Sequence, residues 1–586
     1  MEMRLFKLMR HVLLLSSGGV FAVSAHAADD TQANFIRQEQ LRRQALLQQA
    51  RPQRDVHLDL PSENPARPFS LAYSESPCFP VQSVTLTGDS ARRFQFALNQ
   101  ALKQSAFQPG MCLGAQGINH IMTLAQNAVI GRGYTTTRIL AAPQDLNSGM
   151  LALTVLPGRI RSLHIDRSRD EATRAGRIAA FQNEFPLQNG DILNLRDLEQ
   201  GLENLKRLPT VEADIRIEPG EKPSESDVAV VWQQRLLPYR LTLAADDAGS
   251  KATGKYQGSV SLSAENPFGL SDMFYASVSH DLGHKASYTD ADGKHTGSGT
   301  NGYAFHYSVP FGKWLWSWNH SSYRYHQAVA GMSEVYDYNG KSRTSDIGIS
   351  RLLYRDAQRK THLSAKLWQR ETRSFIDDTE IEVQRRQTAG WALGLNHKEY
   401  IGKATLDVGL NYKRGTGRNN SPAAPEEAFG EGTSRMKILT ADVQLNVPFK
   451  LGRQQFAYDT RLHAQWNKTP LTPLDKLAIG NRYTVRGFDG GTTLSAERGW
   501  YWRNDLSWQY ARNHRAYIGI DTGHVSGRSA PYLLGQSLSG GAVGLKGQFT
   551  IGGSLYYDIF AAKPLHKPAY FQTANTHYGF NVNYSF

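Results

Sequence analysis

Beyond its first few dozen residues the chain has no run approaching the ~18–20 consecutive apolar residues that a transmembrane helix needs. That excludes a helical membrane protein but not a membrane β-barrel, whose strands need only alternate. Cysteine is also scarce, with only Cys78 and Cys112 among 586 residues. They stand 34 positions apart, outside any CxxC redox spacing. The net charge of +13 is small for such a length, and no DNA- or RNA-binding motif accompanies it, so no nucleic-acid partner is expected. Catalytic signatures are missing too. There is no HExxH and no GxSxG, and the NGKS at 339–342 has Val335 where a P-loop requires glycine. The eighteen histidines show no metal-ligand spacing. An enzyme is the least favoured reading, and no catalytic residue, metal or cofactor is expected.

What is present begins with an export signal. Arg4, Lys7 and Arg10 precede an apolar run from about Val12 to Val23, and Ala25-His26-Ala27 has small-x-small cleavage character. The run is too short for a membrane anchor, so residues 1–27 read as a signal peptide. Three bases against Glu2 give that leader +2, leaving +11 on the mature chain. An exported chain with an even cysteine pair suggests a disulfide, with two buried free thiols as the alternative.

Three regions follow. Residues 28–50 are rich in Gln, Arg, Leu and Ala, good helix formers with few apolar positions. They read as a docked helix or a disordered segment. Pro52, Pro61, Pro65 and Pro68 then mark 51–77 as an extended linker. Residues 78–234 read as two small α+β units, each β-α-α-β-β, an internal repeat that implies stacked modules. From 238 onward helical periods vanish and a period of two takes over. In 455–467, Phe456, Tyr458, Thr460, Leu462, Ala464 and Trp466 share one face, while Ala457, Asp459, Arg461, His463, Gln465 and Asn467 lie on the other.

A soluble sandwich also alternates. Here, however, whole faces are charged, the strands run to ~10 residues between turn signals, and the apolar faces end in aromatic residues. Sixteen such strands, near 239, 258, 273, 303, 315, 345, 362, 389, 404, 438, 455, 500, 516, 540, 553 and 577, give the even number a closed barrel requires, and a barrel of that size encloses an aqueous lumen. The fit is poor at one place, because Asn504 falls on an apolar face.

Between strands eleven and twelve lies GNRYTVRGFDGG (480–491), with four glycines and two arginines and no regular period. Alone it would read as a surface turn with a solvated arginine. A long connection inside a barrel is more often functional. If Ile518 and Ile520 face lipid, Asp521 faces the lumen, as do Asp505 and Asp459.

The TVRGFDGG segment, followed by SAERGWYWRND, resembles the outer-membrane transporters of two-partner secretion, a branch of the Omp85 superfamily, and the resemblance extends over nearly the whole mature chain. It implies a 16-stranded antiparallel transmembrane barrel (236–586) whose loop 472–498 folds inward. Before it would stand two periplasmic POTRA domains (78–157 and 158–235) and an N-terminal plug helix (28–50). The family places Val485, Arg486, Gly487 and Phe488 at the loop tip, with the arginine on an acid in an aromatic-x-Asp-x-Gly pattern. That pattern is met here by Asp521 and Gly523, with Gly519 at the aromatic position and Tyr517 two residues earlier. ESPCF and GMCLG match a subgroup whose cysteines pair, which implies a Cys78–Cys112 disulfide. Phe580, Val582, Tyr584 and Phe586 would form the C-terminal assembly signal. The implied activity is export, without ATP, of a large exoprotein (a haemolysin, adhesin or contact-dependent toxin) whose secretion domain the POTRA domains recognise. The alternative is a barrel-assembly factor, and that branch typically carries more than two such modules. Further implied partners are the barrel assembly machinery, periplasmic chaperones and outer-membrane lipid or lipopolysaccharide, for a chain acting as a monomer.

Overall fold

The computed structural model describes residues 32–49, 55–58, 75–166, 181–290, 292–331, 334–419 and 421–586. The signal peptide expected over 1–27, most of the linker and most of the helix expected near 172–185 lie outside the described residues.

Sixteen antiparallel strands close on themselves. They are β1 (Tyr239–Asp246), β2 (Tyr256–Glu265), β3 (Met273–Gly283), β4 (Gly299–Phe311), β5 (Trp314–Ala330), β6 (Val335–Arg355), β7 (Arg359–Ile376) and β8 (Arg386–Ile401). The second half comprises β9 (Ala404–Thr416), β10 (Lys437–Leu451), β11 (Gln454–Asn467), β12 (Arg498–Ala511), β13 (His514–Ser526), β14 (Ser537–Thr550), β15 (Ser554–His566) and β16 (His577–Ser585). Every strand expected from the alternation is present. Their lengths run from 8 residues in β1 to 21 in β6, rather than a uniform ten. The ladder has no reason to stop where the lipid stops, because backbone pairs continue wherever both edges extend. Closure is brief by comparison, with β16 in register with β1 from Asn581↔Asp246 to Ser585↔Thr242 and a reciprocal backbone pair between Leu241 and Phe586 (3.0 Å each way) beyond it.

Alternation sorts the two faces. Ile518 and Ile520 are 56% and 58% exposed on the outer surface, while Asp521, at an inward position of the same strand, is 1% exposed. Asn504 stands outward as the parity requires, and its amide is satisfied there. Its Oδ1 accepts from Tyr458 Oη (2.7 Å) and Thr460 Oγ1 (2.9 Å), and its Nδ2 donates to the Ile520 carbonyl (3.3 Å). A polar side chain on an apolar surface is tolerable when its groups are paired.

Two α+β modules precede the barrel. In the first, Ser83–Gly88 pairs in parallel with Met150–Leu156, which pairs antiparallel with Arg138–Leu140. The second repeats this with Arg159–Ile165, Glu225–Gln234 and Val211–Pro219. Helix α1 (Ala91–Gln104) buries Phe94, Ala97, Leu98 and Ala101, an i, i+3, i+4, i+7 stripe, onto the first sheet. Helix α2 (Ala115–Gly131) is capped from outside, as Glu75 accepts from the backbone N–H groups of Gln116 (2.8 Å) and Gly117 (2.6 Å). Cys78 and Cys112 are joined as a disulfide beside the short Phe79–Val81/Met111–Leu113 ladder.

Helix α3 (Leu195–Lys206) of the second module docks on one end of the barrel and so defines it as the periplasmic end. Asn204 Nδ2 donates to the Gly312 carbonyl in the β4–β5 turn (2.8 Å). Arg355, at the end of β6, reaches Glu199 (3.0 Å) and Glu203 (2.9 Å). Linker residues 55–58 run through the same contact. Val56 N–H donates to Glu203 (2.8 Å), Leu58 N–H donates to Glu199 (2.9 Å), and the Asp55 carboxylate accepts from Lys360 (2.8 Å) and Lys398 (2.9 Å).

Candidate functional site

The β11–β12 connection turns into the lumen and lies against the inner faces of β12, β13 and β14. A short ladder, Leu477–Ile479 with Leu494–Ala496, forms its stem. The tip beyond the stem is the glycine-rich segment. Gly487 has φ +102°, a conformation L side chains rarely adopt, and a Cβ there would stand 2.6 Å from the Lys563 carbonyl oxygen.

Arg486 is 3% exposed. Its Nε donates to Asp521 Oδ2 (2.7 Å), its Nη2 to Asp521 Oδ1 (2.7 Å), and its backbone N–H to Asp521 Oδ2 (3.0 Å). This is the fork-to-fork geometry of a strong charge-assisted pair. Nη2 also reaches Asp505 Oδ1 at 2.5 Å, so two carboxylates share the guanidinium. Arg503 approaches Asp521 at 3.7 Å and balances the second negative charge. Asp505 is thus a second partner, whereas Asp459 accepts instead from Asn446 Nδ2 (2.6 Å). Alternation could put all three acids inside, but which of them meets the loop depends on stagger between strands, which the period of two does not carry.

The residues around this cluster explain why it fits. Tyr517 faces inward with its ring 5.8 Å from the Arg486 guanidinium. Gly519, where the related pattern has an aromatic, leaves the space in which Arg486 and Asp505 meet. A Cβ there would stand 2.3 Å from Asp505 Oδ1 and 2.4 Å from Arg486 Nη2. Gly523 gives Val485 its seat, and a Cβ at Gly540 would fall 1.7 Å from the Arg486 carbonyl oxygen. The wall under the tip is therefore bare backbone. Val485 and Phe488, both fully buried, complete an apolar cluster with Ile479, Leu494, Val525, Leu538 and Phe571, and Phe488 meets Phe571 edge-on at 5.6 Å.

Two further anchors hold the loop, and sequence reasoning did not single them out. Asp475, near the stem, accepts from Arg370 (2.9 Å) and Lys413 (3.0 Å) on β7 and β9. Arg482 Nη1 donates to Asp247 (2.6 Å) and its Nη2 to the Phe580 carbonyl (3.2 Å), on either side of the β1–β16 closure. Both arginines of the motif are thus engaged, and the only advance signal for Arg482 was its place in the same segment.

The helix over 32–49 also lies inside the barrel, beside the loop. Gln38 Nε2 donates to the Gly490 carbonyl (2.8 Å), and Thr493 Oγ1 donates to Asn34 Oδ1 (3.0 Å). Arg42 Nε reaches Asp246 on β1 (2.8 Å), and Gln49 accepts from Asn583 on β16 (2.7 Å). The helix has few apolar residues, and two of them sit together. Phe35 and Ile36 pack on Tyr323, Tyr325 and Tyr338, with Phe35 5.3 Å from the Tyr325 ring. Opposite, between the helix and β8–β12, the lumen keeps a cavity of about 860 Å³ bordered by Asn411, Lys413, Asp442, Gln444, Arg461 and His463.

At the C-terminus Phe580, Val582, Tyr584 and Phe586 share the outward face, with Tyr584 and Phe586 rings 5.6 Å apart.

Comparison with known proteins agrees with this architecture. Residues 224–547 match the family described as haemolysin secretion/activation protein ShlB/FhaC/HecB. Residues 79–158 match the ShlB-type POTRA domain, and 159–219 match a second POTRA description. The chain is 36% identical over 577 residues to the outer membrane transporter CdiB-2 of Burkholderia pseudomallei, covering 96% of this chain and 95% of that one. It is 27% identical to the outer membrane transporter CdiB of Dickeya dadantii, over 93% and 94% of the two chains. Among solved structures, CdiB from Acinetobacter baumannii superposes with a TM-score of 0.80 at 29% identity, covering 95% of this chain and 99% of that one. The chain belongs to the ShlB/FhaC/HecB family of two-partner secretion transporters, and it is an outer-membrane β-barrel whose POTRA domains lie in the periplasm.

Proposed function

We propose that this transporter exports one large exoprotein by threading it, extended, through the lumen that the helix over 32–49 and the inward loop now share, with no catalytic step of its own. The observation that carries this reading is the character of the two lumen elements. Both are held by side-chain contacts of their own rather than by continuous strand pairing, and beside them the wall is lined by amides and charges. Such contacts can be exchanged one by one for contacts with a passing chain.

The partner is of the class served by the CdiB relatives, and its N-terminal secretion domain docks on the POTRA domains. Edge strands Arg138–Leu140 and Val211–Pro219 suit that docking, because an extended segment adding to a sheet edge gains backbone hydrogen bonds. Arg486 with Asp521 and Asp505 keeps the loop seated as the helix leaves. During biogenesis, chaperones and the barrel assembly machinery read the outward apolar row Phe580, Val582, Tyr584 and Phe586.

Secretion of the cognate exoprotein into the medium tests the reading, measured with this chain, without it, and with Arg486→Ala. Export that needs the chain and falls strongly in the variant, with the barrel still folded, is the expected result. Equal release without the chain removes the export reading, and wild-type release by Arg486→Ala removes the arginine from it.

A further inference from the structure

On the outer surface of β4–β7 the strand register lines up cations. Asn301, Arg324, Lys341 and Arg373 stand side by side across four strands. One row nearer the periplasm, Ser322, Arg343 and Glu371 follow in the same register. Four cations therefore share this patch with one carboxylate. Glu371 accepts from Arg373 Nε (2.7 Å) and lies 3.9 Å from Arg343, and both arginines are about half exposed, at 49% and 48%. Like charges at directly opposed positions of neighbouring strands repel, and Arg324–Lys341 and Lys341–Arg373 are two such pairs.

Depth identifies what balances them. Past two polar rows, Ser322/Arg343/Glu371 and His320/Ser345/Gln369, the same face turns apolar toward the periplasm, with Trp316, Trp318, Ile347 and Leu367 all more than two-fifths exposed. From Trp314, beside the periplasmic turn that meets α3, to Arg324 is ten residues along β5. That is roughly 33 Å of strand, and a barrel tilt of about 40° makes it about 25 Å of height, equal to the height of an outer-membrane barrel's apolar band, with the outward side chains on this face already polar from His320, Ser345 and Gln369 upward. The patch thus stands where the outer leaflet's headgroups begin. Directly beneath Arg324 and Lys341, Tyr303, His320, Ser345, Gln369 and Arg343 border a cleft of about 340 Å³, a polar recess of the kind that accepts sugar hydroxyls.

We propose that this face of β4–β7 binds the headgroup of a phosphorylated glycolipid of the outer leaflet, with Arg324, Lys341 and Arg373 on phosphate and the cleft on the sugar. The guanidinium forks match phosphate oxygens in pairs. The site is independent of the lumen and of export.

The test measures binding of fluorescent diphosphoryl lipid A to the full chain in nanodiscs of neutral phospholipid. Removing two basic residues with Arg324→Gln/Lys341→Gln should weaken binding about thirtyfold, the change expected for two cations at an anionic membrane surface. Lys341→Arg should retain it, and Lys450→Gln/Arg453→Gln at the periplasmic turn should leave it unchanged. The heat-dependent gel mobility of each variant reports whether the barrel is folded. Should the double variant fail to fold, Arg373→Gln, predicted to bind more weakly, is read in its place. Equal binding by the folded variant overturns the site. Equal binding of phosphatidylglycerol overturns the glycolipid assignment, and competition by inorganic phosphate alone overturns the lipid source.

Discussion

Gly519 approaches Arg486 so closely that a Cβ on it would stand 2.4 Å from the arginine's Nη2. The related pattern has an aromatic at this position, and here the space it would occupy is filled by a guanidinium shared between Asp521 and Asp505. Gly519→Ala is therefore expected to act on the arginine without removing any charge. Neither neighbour can yield easily, because each is fixed by the buried ion pair. Secretion should fall toward the level of Arg486→Ala, while folded-barrel gel mobility stays at the wild-type value. Wild-type secretion by Gly519→Ala would show that the doubly shared geometry is dispensable.

Asp247 ties three elements with one carboxylate. It follows β1 directly, accepts from the Phe580 backbone N–H on β16 (2.9 Å), and accepts from Arg482 of the loop (2.6 Å). The β1–β16 ladder is short, and this link reinforces its end near the loop. Removing one partner of a buried ion pair costs about 3–5 kcal/mol, and Asp247 is 3% exposed. Asp247→Ala should lower the temperature at which the barrel opens in heat-modifiability assays. Asp247→Asn, which keeps an acceptor for Phe580, should lower it less. Equal opening temperatures for the two would separate the carboxylate from the closure.

The helix over 32–49 meets β1 through Arg42 and Asp246, and meets the loop through Gln38 and Asn34. If these contacts keep it in the lumen, deletion of residues 28–50 should raise single-channel conductance in planar bilayers. Arg42→Ala should leave the closed level intact but increase the frequency of openings. Unchanged conductance on deletion would argue that the helix does not obstruct ion flow.

Much of this is legible in the sequence, and the reason is local. Period-two alternation is written residue by residue, so parity alone assigns Ile518 and Ile520 outward and Asp521 inward. The loop's importance is legible not from its glycine-rich composition, which alone fits a solvated turn, but from its place as a long connection between two barrel strands and from the resemblance that Val-Arg-Gly-Phe carries. What is not legible is lateral. That Arg486 takes Asp505 as well as Asp521 while Asp459 takes Asn446 is decided by stagger between strands. That Asp475 meets Arg370, about a hundred residues earlier, depends on barrel curvature. Gly519 stands out in the sequence as a departure from a pattern, and only the space beside Arg486 reveals what the departure accommodates.

Glu184 makes the contact between the second POTRA domain and the barrel depend on pH. Its side chain is buried at the end of the Phe181–Glu184 helix, 1% exposed. Burial pushes its carboxyl up to about 8, because the Ser271 hydroxyl and Arg207 offset the desolvation only in part and Asp272 adds to it. In the unfolded chain the same group titrates near 4.5. Between those values the folded state holds a proton that the unfolded state has released, so stability is greatest below the lower value and declines as pH rises toward the upper one. Glu184→Gln keeps the site neutral at every pH and removes this term. The two proteins should therefore unfold alike near pH 5, and the variant should be the more stable near pH 8, measured as the midpoint of the POTRA endotherm in calorimetry of the full chain. Comparing the difference between the two proteins cancels the other titrating groups at the interface, His57 among them. A difference that stays constant from pH 5 to 8 would mean that Glu184 is already charged in the folded protein, and that Arg207 compensates it fully.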